Sequence, residues 1–182
     1  MADMLSQTDG QGRSTVKASN RFLCRLFACS CLCGASQVSP SPIPTSKATL
    51  LGPAKEWGRK TLVLDLDETL VHSSLLSISN ADVVLTVQVN EVWTKVYVLL
   101  RPGWRELLSY AAQRYEVVIY TASIQAYADQ LLDQLDPEKV AARLYRDQCV
   151  VSAGTYVKDL RRLGRAMEGL ILVDVKTYIE LL

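Results

Sequence analysis

Three short apolar runs lie beyond residue 60, and each is typical of a β-strand that is covered on both faces. They are TLVL at 61–64, EVVIY at 116–120 and LILV at 170–173. Uninterrupted runs of this length are characteristic of the parallel strands of α/β proteins, whereas half-exposed strands alternate apolar and polar residues. Because helical patterns separate the runs, the sequence predicts an α/β fold with a doubly wound parallel sheet.

The segment between the first two runs has the alternating period of a half-exposed hairpin. Residues 83–100 alternate on both sides of Asn90-Glu91, a dipeptide that can form the turn. We therefore expect a β-hairpin insert after the first strand.

Helices and shorter strands are predicted around the other two runs. An apolar stripe at helical spacing precedes the second run, and Ser123 is expected to cap a second helix that ends near Leu135. We further predict a helix over 159–167 and short strands near 144–145 and 149–151. The stripe comprises Trp104, Leu107, Leu108 and Ala111.

The N-terminal part of the chain shows no comparable pattern. Residues 36–54 hold four of the six prolines, which predicts an extended linker. We expect a disordered, cysteine- and proline-containing tail and linker over 1–56, followed by a folded domain over 57–182.

Four of the five cysteines lie within ten residues of this tail, unlike a disulfide framework, and their spacing lacks the C-x2-C pairs of a zinc site. Neighbouring arginine and phenylalanine residues favour palmitoylation and peripheral membrane attachment. An unmodified tail and a secretory signal stay open as alternatives, although Arg25 interrupts the apolar segment. We expect the protein in nucleus and cytoplasm, with membrane association through the tail. The cysteines are Cys24, Cys29, Cys31 and Cys33.

The charge balance bears on the class of partner. Lys+Arg 20 against Asp+Glu 19 gives a net charge of +1, so no general field attracts polyanions and we expect no direct nucleic-acid binding. His72 is the one histidine, which excludes a multi-histidine metal site.

Two acidic residues come directly after the first apolar run. Period-two alternation places Asp65 and Asp67 on one side at the carboxyl end of the strand, where α/β folds bind ligands. Neighbouring carboxylates repel each other unless a cation or a proton intervenes, and Mg2+ is the natural hard cation for oxygen ligands. A solvated acidic turn is the alternative interpretation.

Three further groups occur in the order that a phosphoryl-transfer site needs. Thr121 follows the second run, Lys158 precedes the third run, and Asp174 follows it. A hydroxyl, a cation and a carboxylate at one sheet edge favour a phosphate site over separate roles as a helix cap, a surface lysine and a strand-end cap.

Longer strings then carry a resemblance to a known family. They are DLDETLVHSS at 65–74, ISNAD at 78–82, VYVLLRPG at 96–103, YEVVIYTASIQAYAD at 115–129 and YVKDLRRLG at 156–164. With these strings, residues 57–174 resemble the small phosphatases of the RNA polymerase II C-terminal domain, in the haloacid dehalogenase superfamily.

The resemblance implies a mechanism. Asp65 would be the nucleophile that forms an aspartyl-phosphate, and Asp67 would protonate the leaving oxygen and then activate water. The Asp65 carboxylate and the Asp67 backbone carbonyl would bind Mg2+. Thr121 and Lys158 would neutralise the phosphoryl oxygens.

The resemblance also implies substrate contacts. Thr69 belongs to the nucleophile motif, and Arg146 would be a second phosphate or substrate contact. Tyr127 and Leu75 fall where relatives form an apolar substrate pocket. His72 lies past the strand, and we interpret it as structural.

Position 175 departs from the family pattern. The family reads V-D-N-S-P at its last motif, where the asparagine oxygen binds Mg2+, whereas this chain reads Val173-Asp174-Val175-Lys176. We expect Asp174 to act as a metal ligand in its place, and Val175 and Lys176 to weaken Mg2+ binding. Because the residues after 175 match nothing in the family, we also expect a C-terminally incomplete domain.

The leading hypothesis is therefore a Mg2+-dependent protein serine/threonine phosphatase that acts on phosphoserine, such as that of the RNA polymerase II C-terminal domain. Two alternatives stay open. One is a weakly active or inactive pseudophosphatase that binds phosphorylated motifs, and the other is a truncated isoform.

The acylation hypothesis predicts thioester-linked lipid on the cysteine cluster in eukaryotic cells. Hydroxylamine should release the lipid, and replacing all four tail cysteines with serine should move the protein to the soluble fraction. Replacing Cys149 alone is the control and should leave the distribution unchanged. A membrane fraction that persists after the fourfold replacement would contradict acylation.

Overall fold

A central parallel sheet organises the protein, whose structure is a computed structural model that describes residues 49–54, 58–152 and 154–175. The main elements, in chain order, are β1 (Thr61–Leu64), β2 (Val71–Ser74), β3 (Val83–Val89), β4 (Val92–Leu100), α1 (Trp104–Arg114), β5 (Glu116–Tyr120), α2 (Gln125–Leu135), β6 (Ala142–Leu144), β7 (Val150–Ser152), β8 (Thr155–Val157) and β9 (Leu170–Val173). The predicted α/β fold is confirmed.

The strand order of the central sheet is β6-β5-β1-β9, and its neighbouring strands pair in parallel. The chain builds outward from β1 through β5 to β6, and β9 then adds to the opposite side of β1. The winding direction therefore reverses at β1. In open α/β sheets, the carboxyl ends of the strands at such a reversal form the ligand crevice.

The segment between β1 and α1 forms a separate antiparallel sheet. β3 and β4 pair through a hairpin whose turn residues Asn90 and Glu91 both have positive φ, 49° and 66°. These values suit the tight turn that matches strand twist. The sheet also has a third strand, β2, which pairs with β4. β2 was not predicted because its sequence, VHSS, lacks an apolar run.

Both faces of the central sheet are covered by apolar packing. On β1, Leu62 and Leu64 join a large cluster with the antiparallel sheet, α1 and α2, whereas Val63 points into a second cluster. The second cluster also contains Leu160 and Leu163, which lie in a 3-10 turn after β8. The uninterrupted apolar runs in the sequence reflect this two-sided burial.

The folded region extends beyond the boundary expected at residue 57. Leu50 and Leu51 pack against the second cluster, and the Leu50 backbone N–H donates to the Arg162 carbonyl at 2.7 Å. The end of the expected linker is therefore docked on the domain. The acylation candidates Cys24, Cys29, Cys31 and Cys33 lie outside the described residues. Within the described ranges, no helix is long and apolar enough to cross a membrane.

Three local expectations differ from the structure. The helix expected over 159–167 is replaced by two short 3-10 turns, Leu160–Leu163 and Met167–Gly169. Helix α2 begins after Ile124 without a side-chain cap, because isoleucine has no hydrogen-bonding group, and the Ser123 hydroxyl bonds Asp67. β9 is half-buried rather than buried, and it forms one edge of the sheet among the described residues.

Core packing predicts that replacing leucine with alanine lowers the free energy of unfolding much more at a buried position than at an exposed one. Leu131 is fully buried in the large cluster, whereas Leu76 is 74% exposed. Leu131→Ala should lower the free energy of unfolding by about 2–5 kcal/mol, since it leaves a cavity in a packed core. Leu76→Ala is the matched control and should change it by no more than about 0.5 kcal/mol. Urea denaturation measures both, and equal effects would contradict the described packing.

Candidate active site

A lysine lies between two buried carboxylates at the carboxyl edge of the sheet. The Lys158 Nζ donates to Asp65 Oδ1 at 2.6 Å and to Asp174 Oδ2 at 2.7 Å. Asp65 follows β1 and Asp174 follows β9, so the two aspartates flank the position at which the winding direction reverses. Lys158 reaches them from the residue after β8.

The Asp65 carboxyl is nearly excluded from water, and this raises its pKa above the ordinary value. The Lys158 ammonium acts in the opposite direction, while the negative charge of Asp174 adds to the increase. The site thus holds more negative than positive charge among these three groups, and it favours a further cation or a proton.

Asp67 lies among hydroxyl groups rather than beside the lysine. Tyr127 donates to Asp67 Oδ1 at 2.9 Å, and Ser123 Oγ donates to Oδ2 at 2.6 Å. Thr121 Oγ1 lies 3.4 Å from Oδ2. Burial, followed by the charge of Asp67, raises the pKa of Tyr127 well above its usual value, so its hydroxyl stays protonated at neutral pH. Ser73 Oγ forms a further hydrogen bond with the Tyr127 hydroxyl at 2.6 Å.

The loop after β1 separates these two environments. Glu68 adopts a left-handed conformation with φ of 64°, which turns the chain back toward β2. The Arg101 side chain holds the turn, because its guanidinium donates to the backbone carbonyls of Glu68 and Thr69. His72 contacts Glu68 at the surface, with Nδ1 and Oε1 2.8 Å apart.

The other predicted binding residues have varied surroundings. Thr69 is buried, and its Oγ1 accepts a hydrogen bond from the Val175 N–H at 3.2 Å. Thr121 Oγ1 accepts from the Ser123 N–H at 3.0 Å. Arg146 Nε donates to the Ala122 carbonyl at 2.7 Å, and its guanidinium stacks on the Tyr156 ring.

Tyr127 is fully buried, and its hydroxyl contacts Asp67; its expected place in a substrate pocket stays a prediction. Leu75, the other residue expected at that pocket, is half-buried and packs against the large apolar cluster.

Cys149 is the free thiol of the described part of the chain and lies near the site. Its Sγ is 3.8 Å from the Thr121 carbonyl, and burial raises the pKa of the thiol to about 11. A thiol with this pKa is protonated at neutral pH and is a poor nucleophile. Asp65 is the stronger candidate.

The donor chemistry near Asp65 suits a hard cation. The Asp65 and Asp174 carboxylates converge on one ammonium nitrogen, so their oxygens point toward a common cation position. The side chain of Asp67 is directed to the hydroxyl groups instead. Among the described residues, no three Asp, Glu, His or Cys side chains form a metal-binding group. The role of the Asp67 backbone carbonyl as a metal ligand, which the family resemblance implies, stays a prediction.

The sequence indicated most of these residues but missed three. Ser123 was interpreted as a helix cap, and Ser73 and Arg101 were assigned no role. Each belongs to a string that carried the family resemblance, which was the available signal. Their partners, however, lie more than 30 residues away in sequence, so local patterns give no indication of the contacts.

A family model and several curated relatives match this chain. The family model "NLI interacting factor-like phosphatase" matches residues 60–179. The CTD small phosphatase-like protein of Homo sapiens is 47% identical over 137 residues, which cover 73% of this chain and 50% of the relative. Phosphatase Herzog of Drosophila melanogaster is 44% identical and covers 75% of this chain and 40% of its own length. The chain thus spans half or less of these relatives.

Solved structures support the fold. The fission yeast RNA polymerase II CTD phosphatase Fcp1, bound to beryllium fluoride, matches with a TM-score of 0.52 at 22% identity, over 63% of this chain and 36% of that one. A second Fcp1 structure gives 0.53 at 24% identity, over 63% and 37% of the two chains.

The matched family region contains the central sheet, the lysine between two carboxylates and the Asp67 hydroxyl cluster. The chain therefore belongs to the NLI interacting factor-like phosphatase family, in agreement with its resemblance to the small C-terminal-domain phosphatases.

Proposed function

We propose that this protein is a serine/threonine phosphatase that acts through an aspartyl-phosphate on Asp65. The supporting observation is the pair of buried carboxylates in different surroundings, because Asp65 contacts Lys158 and Asp67 contacts neutral hydroxyl groups. Two carboxylates with distinct partners can divide the work between a nucleophile and an acid/base group.

The proposed reaction has two balanced steps. In the first, an Asp65 oxygen bonds to phosphorus, the phosphorus–seryl oxygen bond breaks, and Asp67 gives its proton to the departing oxygen. In the second, Asp67 takes a proton from water, whose oxygen bonds to phosphorus and releases phosphate from Asp65. Lys158 stabilises the negative charge on the phosphoryl oxygens in both steps.

The proposed cofactor is Mg2+. Asp65, Asp174 and the backbone carbonyl of Asp67 would hold it. When bound, Mg2+ would neutralise phosphoryl charge and orient the phosphate group. This assignment is supported by the net negative charge around Lys158, where two buried carboxylates face one ammonium group.

The proposed substrate is phosphoserine in a protein, such as the repeats of the RNA polymerase II C-terminal domain. The names of the relatives support this class, since they include CTD small phosphatase-like proteins and an RNA polymerase II CTD phosphatase. Thr69, Thr121 and Arg146 are the proposed phosphate or substrate contacts. The near-zero net charge supports a protein rather than a nucleic-acid partner.

A binding function without turnover is the second candidate, and Val175 favours it. Its side chain is 57% exposed and offers no oxygen where the resemblance places an asparagine ligand. Weak Mg2+ binding would leave Lys158, Thr121 and Arg146 to hold a phosphorylated motif without hydrolysis.

We also propose that the protein occurs in nucleus and cytoplasm, with peripheral membrane attachment through an acylated tail. The clustered cysteines and the neighbouring Arg21, Phe22 and Phe27 support this location.

Replacing the nucleophile tests the proposed reaction. Asp65→Asn keeps the size of the side chain but removes the attacking charge, so phosphatase activity should fall at least about 1000-fold. Binding of beryllofluoride should be lost as well. Asp147→Asn makes the same chemical change at an exposed position and should keep activity. Wild-type turnover by Asp65→Asn would contradict the aspartyl-phosphate mechanism.

Restoring an oxygen at position 175 tests the metal assignment. Val175→Asn should raise Mg2+ affinity by about 100-fold, since one neutral ligand is worth a few kcal/mol. The measurement is the melting temperature against Mg2+ concentration, with turnover of an aryl phosphate in parallel. Val151→Asn is the matched control, because Val151 is also exposed, at 63%, but lies in the β7–β8 hairpin. Equal Mg2+ midpoints for wild type and Val175→Asn would show that position 175 does not contact the ion.

A further inference from the structure

A chain of hydrogen-bonded, buried hydroxyl groups contacts the Asp67 carboxylate. Ser73 on β2 bonds the Tyr127 hydroxyl at 2.6 Å, and Tyr127 donates to Asp67 Oδ1 at 2.9 Å. Ser123 Oγ donates to the other carboxylate oxygen at 2.6 Å. Tyr127 and Ser123 are both completely buried, so water does not compete for these bonds.

The apolar packing around Tyr127 does not require its hydroxyl group. The Tyr127 ring belongs to the large apolar cluster, where a phenylalanine would fill nearly the same volume. A buried hydroxyl costs free energy unless it is hydrogen-bonded, so its placement here depends on Ser73 and Asp67 as partners.

Two donors on two different oxygens fix the orientation of a carboxylate. A carboxylate with one hydrogen bond can still rotate about its side-chain torsions. The hydrogen bonds from Tyr127 and Ser123 reach separate oxygens of Asp67 and therefore prevent this rotation. A displacement of about 1 Å in a reacting group can lower a rate about 100-fold. The orientation of Asp67 therefore has direct kinetic consequences if it transfers protons.

We propose that Tyr127 and Ser123 are positioning residues that orient the Asp67 carboxyl toward the leaving oxygen, and that Ser73 in turn holds Tyr127. This inference rests on the proposed phosphatase function. It assigns the Tyr127 hydroxyl to the orientation of Asp67.

The dependence of kcat on the leaving group distinguishes a residue that positions Asp67 from one that only stabilises the fold. An alkoxide such as that of serine needs a proton to depart, whereas p-nitrophenolate departs without one. Tyr127→Phe should therefore lower kcat on a phosphoserine peptide by about 10- to 100-fold, with KM changed less than about twofold. The kcat on p-nitrophenyl phosphate should change by less than about threefold.

Tyr120→Phe is the matched control. Tyr120 is also fully buried, and its hydroxyl donates to the Gln148 carbonyl on the opposite face of the sheet. This variant should keep the wild-type ratio of peptide to aryl activity. Ser73→Ala should lower the ratio of peptide to aryl activity in the same direction as Tyr127→Phe but by less. It provides the test if Tyr127→Phe does not fold.

The outcomes distinguish this inference from the function on which it rests. Equal losses on both substrates in Tyr127→Phe and Ser73→Ala, or a rise in KM for the peptide alone, would overturn the positioning role while leaving the phosphatase function in place. A wild-type protein that hydrolyses neither substrate at saturating Mg2+ would overturn both.

Discussion

The Lys158 ammonium between Asp65 and Asp174 is the interaction on which the rest of the site depends. It joins the ends of two neighbouring strands, β1 and β9, to the segment after β8. Without it, two carboxylates would be buried side by side, and removing one partner of a buried ion pair costs about 3–5 kcal/mol. The same excess of negative charge favours a further cation or a proton at the site. The stability of this sheet edge and the proposed chemistry of the site therefore both depend on the two carboxylates and the one ammonium group.

The turn after β1 gives its two aspartates different partners. Strand periodicity alone would place Asp65 and Asp67 side by side, but β1 ends at Leu64, before both residues, and the chain turns back at the left-handed Glu68. Asp65 then contacts a cation, and Asp67 contacts neutral donors at the start of α2. The two roles proposed for Asp65 and Asp67, a nucleophile and an acid/base group, need such separate surroundings.

The apolar runs and the acidic strand ends could be predicted from the sequence because both follow from local patterns. Strands buried on two faces must be continuously apolar, and polar groups at their carboxyl ends must meet at one sheet edge. The hydroxyl cluster could not be predicted in this way. In the sequence, Ser123 has the chemistry of a helix cap, and only the tertiary structure shows that the cap position is Ile124 and that the Ser123 hydroxyl bonds Asp67. The 3-10 turns after Asp159 were likewise mistaken for a helix, because Leu160 and Leu163 have apolar spacing compatible with both.

Position 175 shows that backbone geometry and side-chain chemistry can change independently. The Val175 N–H still bonds Thr69 beside the buried carboxylates, so the chain follows a path that brings residue 175 to the site. The valine side chain, however, is largely exposed at the edge of the sheet and does not belong to the apolar core. A substitution there costs the fold little, while the Mg2+ site proposed above would have one oxygen ligand fewer with valine than with asparagine. An exposed position next to a buried charge cluster can therefore change its side chain with little effect on the fold.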